Sequence, residues 1–126
     1  MEFSTLEVSL DAGVATIALN RPDKANAMSE PMWYEIEQAM EWLDSTAEAR
    51  VGVLVGRGKY FTSGIDLALL MGLGAKIEDD CEGRRREKLR RLILRLQDTL
   101  SSIERCRKPV LAAVHGACIG GGMDLI

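Results

Sequence analysis

Apolar and polar positions alternate near the start of the chain, where Leu6, Val8 and Leu10 are separated by Glu7 and Ser9. A period of two is that of a half-buried strand. Asp11-Ala12-Gly13 is a turn signal and residues 14–19 read as a second strand, so the two predict a hairpin. Asn20-Arg21-Pro22-Asp23 stops it. Ser29 is placed to cap a helix whose second position is Pro31, where a missing N–H costs little. Trp33, Ile36, Met40 and Leu43 then share one helical face.

Residues 51–55 are a short apolar run closed by Gly56 and Gly58, the pattern of a buried strand, and 56–66 predict a loop. A short helical turn follows over 67–71, ended by Gly72-Leu73-Gly74. Glu78, Asp79, Asp80 and Glu82 predict an acidic, mobile surface loop. From Arg84 to Arg105 the pattern is helical, with Leu89, Leu92, Ile93, Leu96, Leu100 and Ile103 at steps of three and four. The opposite face carries Arg84, Arg85, Arg86, Lys88, Arg90, Arg91 and Arg95. It reads as a solvated helix side, with an electrostatic guide for a phosphate-bearing ligand as the sharper alternative. After Pro109, residues 110–114 predict another buried strand, and Gly120-Gly121-Gly122 leads into the start of a helix at Met123-Asp124-Leu125-Ile126.

Strands thus alternate with helices in a loose repeat, which predicts an α/β or superhelical arrangement without an internal domain boundary. The length of 126 residues fits one domain or part of one. The net charge of −3 argues against a nucleic-acid binder. No apolar run reaches the roughly 20 residues of a membrane helix. The N-terminus lacks a basic stretch followed by an apolar one, and Glu2, Glu7 and Asp11 are unlike a transit peptide. Cys81, Cys106 and Cys118 have no metal-type or paired spacing, so reduced thiols and a cytoplasmic setting are expected, with no metal.

Several nucleotide and hydrolase signatures fail. Gly56-Arg57-Gly58-Lys59 lacks the spacing of a phosphate-binding P-loop. Gly72-Leu73-Gly74 lacks the third glycine of a dinucleotide fingerprint. Thr62-Ser63-Gly64 lacks the first glycine of a nucleophile elbow, and His115, the single histidine, reads as structural. The informative stretch runs from His115 to Ile126. Three glycines at a strand-to-helix junction let a backbone approach a ligand, and helix N-termini offer unpaired N–H groups to an anionic oxygen. The same glycines also suit a flexible turn, with Asp124 a favourable first-turn acid; the residues alone leave both readings open. Gly64-Ile65-Asp66 is a second glycine–acid bend. If the two bends meet, two backbone N–H groups could address one oxygen, an arrangement that stabilises developing charge by about 3–4 kcal/mol per donor.

Three blocks carry a family resemblance. They are Leu19-Asn20-Arg21-Pro22-Asp23-Lys24-Ala25-Asn26-Ala27, Phe61-Thr62-Ser63-Gly64-Ile65-Asp66-Leu67, and Lys108-Pro109-Val110-Leu111-Ala112-Ala113-Val114-His115-Gly116 running on to Gly120-Gly121-Gly122-Met123-Asp124-Leu125. In this order they resemble the enoyl-CoA hydratase/isomerase (crotonase) family over nearly the whole chain. The resemblance implies a superhelix of β-β-α turns, of which residues 1–126 would be the N-terminal part, and assembly of the complete protein as trimers or hexamers. It implies that the N–H groups of Ile65 and Gly121 form an oxyanion hole for a thioester oxygen. Lys24, Ala25 and Ala27 would lie along the CoA chain. Ser63, Gly64, Ile65, Asp66 and Leu67 would present backbone to the adenine end, with Gly120 beside the site and the acyl tail passing 67–73. Coenzyme A enters as part of the substrate, and no separate cofactor is implied.

Asp124 narrows the resemblance. Hydratases of the family carry Glu at this position, whereas dienoyl-CoA isomerases carry Asp. The latter also resemble this chain in Phe-Thr-Ser-Gly-Ile-Asp-Leu at 61–67, Ile-Glu-Arg-Cys at 103–106 and Cys-Ile-Gly-Gly-Gly at 118–122. The resemblance therefore implies isomerisation of 3,5-dienoyl-CoA to 2,4-dienoyl-CoA in fatty-acid β-oxidation, with Asp124 as one acid/base partner and the other carboxylates beyond residue 126. A 2-enoyl-CoA hydratase and a non-catalytic CoA-binding fragment are the alternatives.

Overall fold

A computed structural model describes residues 2–126. Four strands form one mixed sheet in the order β1 (Leu6–Asp11), β2 (Val14–Leu19), β3 (Val51–Gly56), β4 (Val110–Ala112). The β1–β2 pair is antiparallel, from Leu6 opposite Leu19 to Asp11 opposite Val14. Its two-residue turn, Ala12-Gly13, has positive φ at both positions (47° and 85°), the combination that matches the twist of a tight hairpin. The β2–β3 and β3–β4 pairs are parallel, so helical segments carry the chain back between them.

Helix α1 (Glu30–Ser45) buries Met32, Trp33, Ile36, Ala39, Met40 and Leu43, a stripe at three- and four-residue steps. It shares the core with Ala15, Ile17 and Leu19 of β2 and Leu54 of β3. Full burial of a side chain of this size contributes about 1.5–3 kcal/mol, so this layer anchors the loops above it. Ser29 stands at the N-cap of α1, but its hydroxyl makes no capping bond; the Ser29 main-chain N–H donates to Ala27 O at 3.0 Å.

Helix α2 (Leu67–Lys76) is longer than the turn expected over 67–71 and runs straight through Gly72 and Gly74. Its N-cap is Asp66, whose carboxylate accepts from the Ala68 N–H at 2.8 Å. That cap, together with Leu69 buried in the core, offsets the poor helix propensity of glycine.

Helix α3 (Glu82–Arg105) includes Glu82 of the acidic stretch. Asp79 accepts from the Cys81 N–H at 2.9 Å and pairs with Arg84 and Lys88, each at 3.0 Å. Asp79 thus braces the start of the helix, of which Glu82 is the first residue. The basic face is exposed and partly paired within the helix, Arg86 with Glu82 at 2.8 Å and Arg91 with Glu87 at 3.1 Å. Such solvated helix pairs contribute only tenths of a kcal/mol. The residues that α3 buries most are Leu96, Thr99 and Ser102. Both hydroxyls donate to carbonyls three residues back, which makes their burial tolerable. The apolar stripe is consequently rotated partly away from α1, leaving Ile93 44% exposed.

Residues 110–114 were expected as a buried strand. The strand is shorter and open, with Leu111 59% and Val114 43% exposed. Val110-Leu111-Ala112-Ala113-Val114 is apolar on both faces, the pattern of a strand covered on both sides. Among the described residues β4 pairs with β3 alone, which leaves its other edge uncovered. The three cysteines are free, no three metal-ligating side chains cluster, and no helix is long and apolar enough to cross a membrane, all among the described residues.

Candidate active site

Three loops meet above the sheet. The first, after β2, forms a 3-10 turn at Pro22–Lys24 and then passes through left-handed φ at Ala25 (51°) and Asn26 (52°). Asn26 is wholly buried. Its side chain accepts from Arg21 N–H at 2.8 Å and donates to Arg57 O at 2.8 Å and Tyr60 O at 2.9 Å. This clamp fixes the first loop to the segment entering the second. His115 Nε2 lies 2.7 Å from Gly58 O in that same segment, consistent with a structural histidine.

The second loop lies against the first. Ser63 N–H donates to Ala25 O at 2.9 Å, Met28 N–H to Gly64 O at 2.7 Å, and Asp66 N–H to Met28 O at 3.0 Å. The Met28 carbonyl also accepts from Trp33 Nε1 at 3.1 Å, which ties both loops to α1. Lys24, Ala25 and Ala27 are therefore neighbours of Ser63, Gly64, Ile65 and Asp66. Lys24, Ser63 and Leu67 are exposed. The Asp66 side chain is already engaged. Arg21 Nη1 donates to it at 2.8 Å, and this guanidinium, with the Ala68 N–H, holds its carboxyl below the usual carboxylate range.

The third loop follows β4. Thr62 N–H donates to Ala117 O at 3.0 Å and Ile119 N–H donates to Thr62 O at 3.2 Å, a parallel bridge across the two glycine-bearing bends. The bends touch at Gly64, where φ is +92° and a Cβ would stand 2.6 Å from Ile119 O and 3.5 Å from Gly120 Cα. A side chain there would wedge the bends apart. Gly121 opens helix α4 (Gly121–Leu125) over Met28 and Trp33, and a Cβ on Gly122 would overlap the Thr62 methyl.

Two main-chain donors stand out. In a trans peptide the N–H points opposite to the preceding carbonyl. Gly64 O accepts from Met28, so the Ile65 N–H points away from Met28. Gly120 O accepts from Met123 N–H at 2.9 Å, so the Gly121 N–H points out of the N-terminal end of α4. Neither donor meets an acceptor among the described residues. Ile65 and Asp124 both line a cavity of about 760 Å³ walled by Leu70 and Leu73 of α2 and by Ile93, Leu96, Leu100 and Ile103 of α3. Asp124 itself is exposed.

The roles of three participants are not legible in the sequence, although each lies inside a longer block. Asn26 is legible only as part of a block, because two of its three side-chain partners, Arg57 and Tyr60, are more than thirty residues away. Thr62 is likewise legible only inside the 61–67 block, because its partners Asn26, Ala117 and Ile119 lie far along the chain. Glu104, which lines the same cavity as Asp124, is legible only inside Ile-Glu-Arg-Cys at 103–106 and by its place at the border of the α3 apolar stripe.

The family model for enoyl-CoA hydratase/isomerase matches residues 9–126. The peroxisomal Delta(3,5)-Delta(2,4)-dienoyl-CoA isomerase of Arabidopsis thaliana is 43% identical over 98% of this chain and 46% of its own length. The mitochondrial enzyme of that name from Homo sapiens is 44% identical over 90% of this chain and 34% of its own length. A solved enoyl-CoA hydratase/isomerase from Xanthobacter autotrophicus Py2 superposes with a TM-score of 0.82 at 33% identity, covering 98% of this chain and 43% of that one. The chain thus spans less than half the length of these relatives, over the part that contains the three loops. With its blocks, its fold and its loop geometry in agreement, the chain belongs to the enoyl-CoA hydratase/isomerase family and represents an N-terminal portion of the crotonase fold.

Proposed function

We propose that the protein containing this chain isomerises 3,5-dienoyl-CoA to 2,4-dienoyl-CoA. The reaction removes a proton from C2 and returns one at C6, through a dienolate whose charge falls on the thioester oxygen. The observation that carries this reading is the pair of unsatisfied N–H groups, Ile65 and Gly121, on bends in contact with each other. Donors held in place before the reaction act where charge develops and need no reorganisation. Asp124, on the cavity that Ile65 also lines, serves as one acid/base partner. A second carboxylate completes the relay from beyond residue 126. Asp at position 124, where hydratases of the family carry Glu, favours isomerisation over hydration of 2-enoyl-CoA.

In this reading Lys24, Ala25 and Ala27 follow the CoA chain, the 63–67 backbone faces the adenine end, and the apolar wall from α2 and α3 takes the acyl tail. Coenzyme A arrives with the substrate and no further cofactor takes part. The complete protein works in fatty-acid β-oxidation as a trimer or hexamer, without nucleic acid or membrane partners. For its compartment, the names of the relatives point to peroxisomes and mitochondria, which weighs against the cytoplasmic setting expected from the residues.

An ultraviolet assay of the intact protein tests the proposal, because moving the diene into conjugation with the thioester changes its absorbance. Conversion of 3,5-dienoyl-CoA is the expected result. Hydration of 2-enoyl-CoA without isomerisation would select the hydratase instead.

A further inference from the structure

Thr62 touches both glycine-bearing bends at once, and it is completely buried. Its main chain bonds to the bend at 117–122, through Ala117 O and the Ile119 N–H. Its hydroxyl bonds to the bend at Gly64 and to the loop before it. The oxygen accepts from the Gly64 N–H at 3.1 Å and donates to Asn26 O at 2.6 Å. Its methyl abuts Gly122 so closely that no Cβ fits there. Gly64 immediately precedes Ile65, and Gly122 immediately follows Gly121. One side chain therefore fixes the neighbour of each unsatisfied N–H group.

The need for such a restraint follows from the residue it holds. Gly64 has the freest backbone of any residue type and sits at φ +92°. The Ile65 N–H shares a rigid peptide plane with the Gly64 carbonyl, so rotation about Gly64 swings the donor. Met28 N–H holds the carbonyl end of Gly64 and Thr62 Oγ1 holds its nitrogen end. Asn26, clamped in turn to Arg57 O and Tyr60 O, orients the hydroxyl.

We infer that Thr62 is a positioning residue of the oxyanion site, its hydroxyl aiming the Ile65 N–H and its methyl setting the approach of the Gly121-Gly122 peptide. This rests on the oxyanion reading proposed above. The two halves of the side chain are separable by substitution. Thr62→Val keeps the methyl and removes the hydroxyl, while Thr62→Ser does the reverse.

In the intact protein, Thr62→Val lowers kcat for the dienoyl-CoA about tenfold and leaves KM within about twofold, the scale of one misdirected hydrogen bond in the transition state. Thr62→Ser retains most of the rate. The accompanying readout is the infrared stretch of a 13C-labelled thioester carbonyl in a bound acyl-CoA. It moves to lower frequency on binding to the parent protein, and by less on binding to Thr62→Val. No movement in the parent protein overturns the oxyanion reading, and this inference with it. Full movement and an unchanged kcat in Thr62→Val overturn the role of Thr62 while leaving that reading intact, as does an effect confined to KM. Should Thr62→Val fail to fold, Thr62→Ala and Thr62→Ser decide: a lower kcat for Ala at equal KM supports the inference, and equal rates overturn it.

Discussion

Arg21 and Asp66, 45 positions apart in the chain, meet at 2.8 Å, and the same Arg21 nitrogen donates to Ala27 O at 2.6 Å. Asp66 uses its other oxygen to cap α2. One ion pair thus fastens the first loop to the helix that walls the cavity. Both side chains are about four-fifths shielded from solvent, so the pair is screened less than a surface one.

Asp66→Ala removes the cap and the partner of Arg21 together. It is expected to destabilise the intact protein by about 2 kcal/mol, roughly half from the lost cap. Asp66→Asn keeps an oxygen for Ala68 and costs less. Urea denaturation of the two variants checks the order, and equal midpoints for Ala and Asn would remove the cap from the argument.

Gly72 and Gly74 lead to the opposite expectation. They lie inside α2, and a Cβ at either would meet nothing within 4 Å. Gly72→Ala and Gly74→Ala each restrict the unfolded chain without strain, so each is expected to stabilise by about 0.5–1 kcal/mol. A higher melting temperature is the outcome to look for.

These glycines also mark where reading the sequence stops. Alternation at Leu6, Val8 and Leu10 and the stripe from Trp33 to Leu43 are local patterns, and both elements formed where the pattern lay. The end of α2 depended instead on Asp66 capping and on Leu69 reaching the core, neither of which is a property of Gly72-Leu73-Gly74. For β4 the residues carried a pattern for burial on two faces, but the described residues supply one strand partner. The site divides in the same way. Glycine spacing pointed to the two bends. Their contact through Thr62, and the Asn26 clamp reaching 31 and 34 positions along the chain, leave no periodic trace.

Gly64→Ala should be costly for a reason that Gly74→Ala lacks. The residue would occupy φ +92° and drive its methyl into Ile119 O. Left-handed strain of this kind costs about 1–3 kcal/mol before the clash is added. The expected result is a destabilised protein with turnover lost even at temperatures where it remains folded. Circular dichroism beside the ultraviolet assay separates the two effects.

Acid stability has a definite sign at Asp44. Arg107 donates to it from its main chain at 2.8 Å and from its guanidinium at 2.8–3.1 Å, lowering its carboxyl to about 2. A carboxyl lowered on folding contributes stability that is complete above its ordinary value of 3.8 and is lost as pH falls from there to about 2. Arg107→Ala should return the Asp44 titration towards the ordinary value in an NMR pH series. High salt should weaken the guanidinium part of the shift, because the pair faces solvent.

Asp124 allows the sharpest chemical test. It is the fourth residue of α4, on the cavity that Ile65 also lines, and Asp124→Asn preserves its shape while removing its ability to take a proton. General acid–base catalysis contributes about 10²–10⁴-fold, so kcat should fall by that factor while KM for the dienoyl-CoA changes by no more than about twofold. Asp124→Glu restores a carboxylate but moves it one methylene farther, and an intermediate rate is expected if distance as well as charge matters. Stopped-flow measurement of the ultraviolet change isolates the chemical step from product release. A wild-type rate for Asp124→Asn in that measurement would assign the proton transfers to other groups and leave Asp124 as an acid in the first turn of a helix.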